Sequence, residues 1–167
     1  MKFSRLLSGM GLVLVLWGCS PVAAPIELKT EAFFGEIKAV LSQYPGWKRT
    51  KIDGSALAFE SEQEKALALV LVSPVKENSS VWGMARHLTV RFEHYRTYRL
   101  APKKIMRNEA WVGLFRVYQE GEGVFVRSVT WKKGRVLYDT LLITPERDQE
   151  TTLRFFKDLT LAVVRLS

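Results

Sequence analysis

The chain has 167 residues, 47% of them hydrophobic and 25% charged, with a formal charge of +8 at neutral pH. That is the size and balance of one ordinary globular domain, and it excludes the charge-rich, aromatic-poor disordered class. A single cysteine excludes an internal disulfide, and two histidines leave little material for metal or histidine-base chemistry.

Lys2 and Arg5 precede a mainly apolar run from Leu6 to Trp17, broken by Ser8, Gly9 and Gly11. A run of about a dozen residues suits a secretory h-region and falls short of the ~20 needed to span a bilayer as a helix. Leu16-Trp17-Gly18-Cys19 resembles the bacterial lipobox, with an aliphatic residue three before the cysteine and a small one directly before it; Trp17 departs from the small residue usual there. The resemblance implies that residues 1–18 are a lipoprotein signal peptide, that Cys19 is acylated, and that the mature chain is tied to a membrane. Ser20 follows the cysteine where inner-membrane lipoproteins often have aspartate, so the resemblance points to the outer membrane, facing the periplasm. The alternative is an ordinary signal peptide cut after Ala24, with Pro25 next in line; its missing N–H and locked φ suit extended protease binding poorly.

Residues 19–29 read as the lipidated N-terminus and a tether, and 30–167 as a single α/β domain. Thr30 is a candidate N-cap for a helix with Phe33, Ile37, Val40 or Leu41 and Tyr44 at helical spacing, ended by Pro45-Gly46. Trp47 to Lys51 and Ala56 to Ser61 read as a hairpin about Asp53-Gly54, and Lys65 to Val72 is an apolar run of strand length. Asn78-Ser79-Ser80 offers caps for a second helix, with Val81, Ala85, Leu88, Phe92 and Tyr95 on one stripe and an end before Pro102. Ala110 to Gln119, Val124 to Lys132 and Arg135 to Thr144 read as a three-strand meander. Thr144-Pro145 then opens a last helix with Leu153, Phe156, Leu159 and Val163 facing the core. Both faces of the meander are apolar, which predicts an antiparallel sheet of about six strands with helices on both faces.

This layout, and in particular the stretches from Glu64 to Val72 and Leu141 to Pro145, resembles the PsbP-like fold and the small DcrB-like bacterial lipoproteins over about residues 56 to 165. The resemblance implies a non-catalytic accessory factor of a membrane complex.

His87 and His94 are seven apart, roughly 10 Å along a helix, too far to share a metal. No nucleophile elbow, glycine-rich phosphate loop or carboxylate-rich metal motif is present, so no enzyme, cofactor or metal is expected. The charge is more informative. Lys2 and Arg5 leave with the signal peptide, which reduces the excess to +6, and Arg86, Arg91, Arg96, Arg99, Lys103, Lys104 and Arg107 against Glu93 account for all of it. That stretch, read as one helix and its following loop, is a candidate surface for an anionic partner, whereas an exported chain rarely meets nucleic acid. A solvated helix face with no partner is the competing reading.

If Gln119 pairs with Val124 and Lys132 with Arg135, then Arg116, Arg127 and Thr140 form one cross-strand row in an otherwise apolar surface, a candidate phosphate or carboxylate site. Snorkelling of both guanidiniums to solvent is the alternative there. The function expected is a lipid-anchored envelope adaptor that binds a membrane complex, envelope polymer or anionic lipid surface. A carrier or sensor of a small anionic or lipidic ligand is the alternative, and a hydrolase the weaker one.

Overall fold

The computed structural model describes residues 31–52, 56–90, 95–119, 122–145 and 149–167. Residues 1–30, and with them the lipobox and Cys19, lie outside the described residues.

Helix α1 (Glu31–Gln43) leads into a short strand β1 (Lys48–Thr50), followed by β2 (Leu57–Ser61) and β3 (Ala66–Pro74). Helix α2 (Val81–Val90) precedes four strands, β4 (Tyr95–Ile105), β5 (Asn108–Gln119), β6 (Glu122–Lys133) and β7 (Val136–Thr144), and helix α3 (Glu150–Leu166) closes the chain. The strands form one antiparallel seven-stranded sheet in the order β1-β2-β3-β7-β6-β5-β4. Alternation of side chains along each strand divides the core in two. On one face Phe59, Ala68, Val70, Val129, Trp131, Tyr138 and Leu142 pack beneath α1 and α3. On the other, Ala58, Leu67, Leu69, Phe115, Val126 and Ile143 form a second cluster, and α2 packs beside it on β5 and β6.

The last helix shows why its sequence forms this element. Phe155, Phe156, Leu159, Ala162 and Val163 recur at helical spacing and are buried, while Arg154 and Glu150 pair at 2.5 Å on the outside. Phe155 is fully buried, stacked on Trp47 with centroids 3.9 Å apart and meeting Tyr44 and Phe59 edge-on. The Tyr44 hydroxyl donates to Asp158 at 2.5 Å and Arg165 lies 3.9 Å from Glu36, so α1 runs antiparallel to α3.

The expected antiparallel sheet with helices on both faces is present, and three details differ. The sheet has seven strands, because Tyr95–Ile105, read as helix end and loop, is a strand hydrogen-bonded to β5. Proline breaks a central ladder but is tolerated on an edge, and Pro102 lies on the edge strand β4. The last helix opens at Glu150 after Gln149 and not at Pro145, since Thr144 still belongs to β7 and is buried in the sheet. The register of the meander also differs, as set out below.

Candidate functional site

Strand β4 carries the positive stretch. Arg99, Lys103 and Lys104 are exposed on it, and Arg107 is exposed in the turn to β5 just after Met106, whose φ of 55° places it in the left-handed region. A shallow depression of about 480 Å³ opens beside this hairpin, lined by Pro102, Lys103, Lys104, Arg107, Glu109 and Trp111. Trp82 of α2 meets Trp111 edge-to-face, with centroids 6.4 Å apart, and holds that wall in place. Lys103, Lys104 and Arg107 form no ion pair among the described residues. Of the other cations in the stretch, Arg86 falls on α2 and Arg96 on β4 by backbone, and Arg91 lies outside the described residues. One helix with its loop is thus replaced by an edge strand and its turn as the seat of the charge.

The row of Arg116, Arg127 and Thr140 does not form. Gln119 pairs with Glu122 and Lys133 with Val136, so each pairing slips by two residues from the one expected. Two residues then separate each strand pair, the hairpin length that twisted strands favour, and Gly134 takes the first position of the β6–β7 turn with φ +58°. A slip of two keeps every side chain on its face and changes its partners. Arg116 lies opposite Phe125, with its guanidinium carbon 5.1 Å from the ring centroid in a cation–π contact. Arg127 lies between Leu114 and Leu142. The two arginines are diagonal neighbours, about 7–8 Å apart at the backbone by sheet geometry. Thr140 lies opposite Val129, and its hydroxyl shares a buried 2.9 Å hydrogen bond with Thr160 of α3. It is a packing residue beneath that helix, diagonal to Arg127 and not opposite it.

A polar group missed in the sequence sits at the centre of the sheet. Asp139 on β7, between Leu71 and Thr130, is 1% exposed, and neither carboxylate oxygen has a hydrogen-bond partner among the described residues. Burial pushes its pKa up from 3.8 to about 7, while the neighbouring Thr130 hydroxyl, short of hydrogen-bond geometry, acts in the lowering direction. The signal was a lone acid in the apolar strand from Val136 to Thr144.

No protein-family model matches this chain, and no curated protein matches it. Solved structures do. The cyanobacterial PsbP protein (CyanoP) of Synechocystis sp. PCC 6803 superimposes with a TM-score of 0.53 at 14% identity, over 70% of this chain and 80% of that one. The fold is PsbP-like. A Pseudomonas aeruginosa protein of unknown function, PA94, aligns at 13% identity over 69% of this chain and 78% of that one, with a TM-score of 0.47.

Proposed function

We propose that this chain is a lipid-anchored, non-enzymatic accessory protein of the bacterial envelope, acylated at Cys19, with a PsbP-like domain that docks on an anionic partner through its basic β4–β5 hairpin. The observation that carries the docking part is the exposure of Lys103, Lys104 and Arg107 around one depression, with Glu109 opposite Lys104 as its one acid and no ion pair to the three cations among the described residues. Cations left without an ion pair keep their charge available to an anionic partner, an attraction that salt screens beyond about 8 Å. The lipobox-like segment supports the anchor, since acyl chains at about 0.8 kcal/mol per buried CH₂ hold a domain of this size at a surface. The envelope assignment, on the periplasmic side of the outer membrane, follows from the same segment and from Ser20.

Two measurements test this reading. Cys19→Ser should abolish labelling by a clickable fatty acid and leave a heavier precursor on a denaturing gel; unchanged processing, with a new N-terminus at Pro25, would overturn the anchor. Cross-linking in intact cells of chains carrying Lys103→Glu, Lys104→Glu and Arg107→Glu should lose the adducts formed by the unmodified chain. Identical adducts would remove the hairpin from the docking surface.

A further inference from the structure

The lower end of the sheet carries an excess of positive charge. Antiparallel pairing puts the β4–β5 turn, the β6–β7 turn and the end of β3 together at one end, here the lower one. That end gathers Lys76, Lys103, Lys104, Arg107, Lys133 and Arg135 against Glu77 and Glu109. At the upper end charge is mixed: Glu62 and Glu64 of the β2–β3 turn stand beside Lys65, Glu150 pairs with Arg154, β6 opens on Glu122, and Lys48 and Arg96 lie at the starts of β1 and β4.

Part of the lower charge is satisfied internally. Arg135 lies 3.4 Å from Glu77, Lys132 donates to the carbonyls of Glu77 and Ser79, and Lys133 donates to the carbonyl of Ser167. These contacts tie the β6–β7 turn to the β3–α2 segment and to the end of α3, so the lower end is a braced surface. Lys76, Lys103, Lys104 and Arg107 remain exposed and make no ion pair among the described residues.

Two apolar side chains stand out of the same surface. Met106, at the tip of the β4–β5 hairpin, is 55% exposed, and Trp82 is 43% exposed beside Trp111. A purely acidic protein partner would need the cations alone. An exposed thioether tip and an indole edge ringed by lysines and arginine match the boundary between phosphate headgroups and acyl chains. The position of α1 adds a geometric reason. Glu36 sits near Arg165, at the end of α3 that reaches Trp131 and Lys133, so α1 also opens at the lower end, and whatever precedes Glu31 joins the domain there.

We propose that the lower end is a docking surface for the anionic phospholipid headgroups of the leaflet that holds the anchor, with Lys103, Lys104 and Arg107 on the phosphates and Met106 entering the interface. This rests on the anchored reading above and adds an orientation to it. The strands stand off the membrane, and the upper turns, of mixed charge, point away.

The test uses the processed chain purified from membranes and reconstituted into vesicles of phosphatidylcholine, with or without phosphatidylglycerol. A fluorophore on a cysteine introduced as Met106→Cys or as Gln63→Cys, in the upper β2–β3 turn, is quenched by lipids brominated on their acyl chains. On anionic vesicles quenching should be severalfold stronger from position 106 than from 63. Raised salt, or Lys103→Glu with Lys104→Glu and Arg107→Glu, should remove the difference. At about fivefold per cation, loss of the three attractions alone should cost on the order of a hundredfold in surface affinity, and the repulsion of the three introduced carboxylates adds to it. Equal quenching from the two positions, or no response to phosphatidylglycerol, overturns the proposal and leaves the basic end to a protein partner. Failure to float with neutral vesicles overturns the anchor alone, because the anionic arm still reads which end faces the lipid.

Discussion

Asp139 makes the stability of this domain depend on pH in a direction opposite to ordinary acid denaturation. Its carboxyl has a pKa of about 7 in the folded chain against 3.8 for the free side chain, with burial as the main cause. Between those values the folded state holds a proton that the unfolded state has released. Stability from this group is therefore complete below the unfolded pKa and is lost as pH rises to about 7. The full loss, about three pKa units, corresponds to about 4 kcal/mol, and the part falling between about pH 5 and pH 8 to about 3 kcal/mol. Against a typical stability of 5–15 kcal/mol that is a large fraction.

Asp139→Asn keeps the shape and removes the titration. Urea unfolding of both chains at several pH values gives the difference in stability between them, which cancels the remaining carboxylates. That difference should move by about 3 kcal/mol in favour of the variant from about pH 5 to pH 8, equivalent to roughly 10 °C in melting temperature. Asp139→Leu, which also removes the unsatisfied oxygens opposite Leu71, should exceed wild type in stability at the alkaline end. Parallel curves for wild type and Asp139→Asn would show that the carboxylate finds water or a partner in solution, and would refute the reasoning.

Phe155→Ala removes the ring that joins Trp47, Tyr44 and Phe59 and should cost about 4 kcal/mol in urea unfolding; a loss below about 1 kcal/mol would mean that the contact of α3 with the α1–β1 turn and β2 is not part of the core. Gly113→Ala would place a methyl 2.5 Å from the Ser128 hydroxyl and 3.2 Å from Phe115, so it should destabilise by about 2 kcal/mol. Ser128→Ala should recover most of that loss when the two are combined, and strictly additive melting temperatures would refute the clash.

The parts of the fold that were legible were those with a strong period. Phe156, Leu159 and Val163 face the core of α3 as their spacing requires, and the three meander strands lie within a few residues of their expected bounds. Strand β4 was not legible. Val81, Ala85 and Leu88 extend by apparent period to Phe92 and Tyr95, and no glycine or proline marks the break after Val90. Only the pairing with β5, a tertiary fact, makes Tyr95–Ile105 extended. The register failed for a different reason. The length of a hairpin loop depends on which residues complete the last pair, and Glu120 to Gly123 fits a four-residue or a two-residue loop equally well by composition. An error of two residues preserved the face of Arg116, Arg127 and Thr140 and turned expected direct opposition into diagonal placement.

The candidate surface can be separated from a second role that the same charges have. An open sheet exposes two edges, and a long unprotected edge invites pairing with another chain. Strand β1 has only three residues, which limits that edge. Strand β4 has eleven, and it carries a register irregularity between Thr97 and Arg99, a proline at 102 and lysines at 103 and 104, all of which discourage a further strand. Edge protection therefore accounts for part of the charge on β4. It does not account for Arg107 and Met106, which lie in the turn beyond the last pair, Ile105 with Asn108, where no added strand would reach. Nor does it account for Lys76, on the far side of the sheet's lower end from the β4 edge. A solvated edge needs no exposed methionine at its tip. The cations and the apolar tip share an end of the sheet with the start of α1, and that common position is what edge protection leaves unexplained and a lipid-facing surface requires.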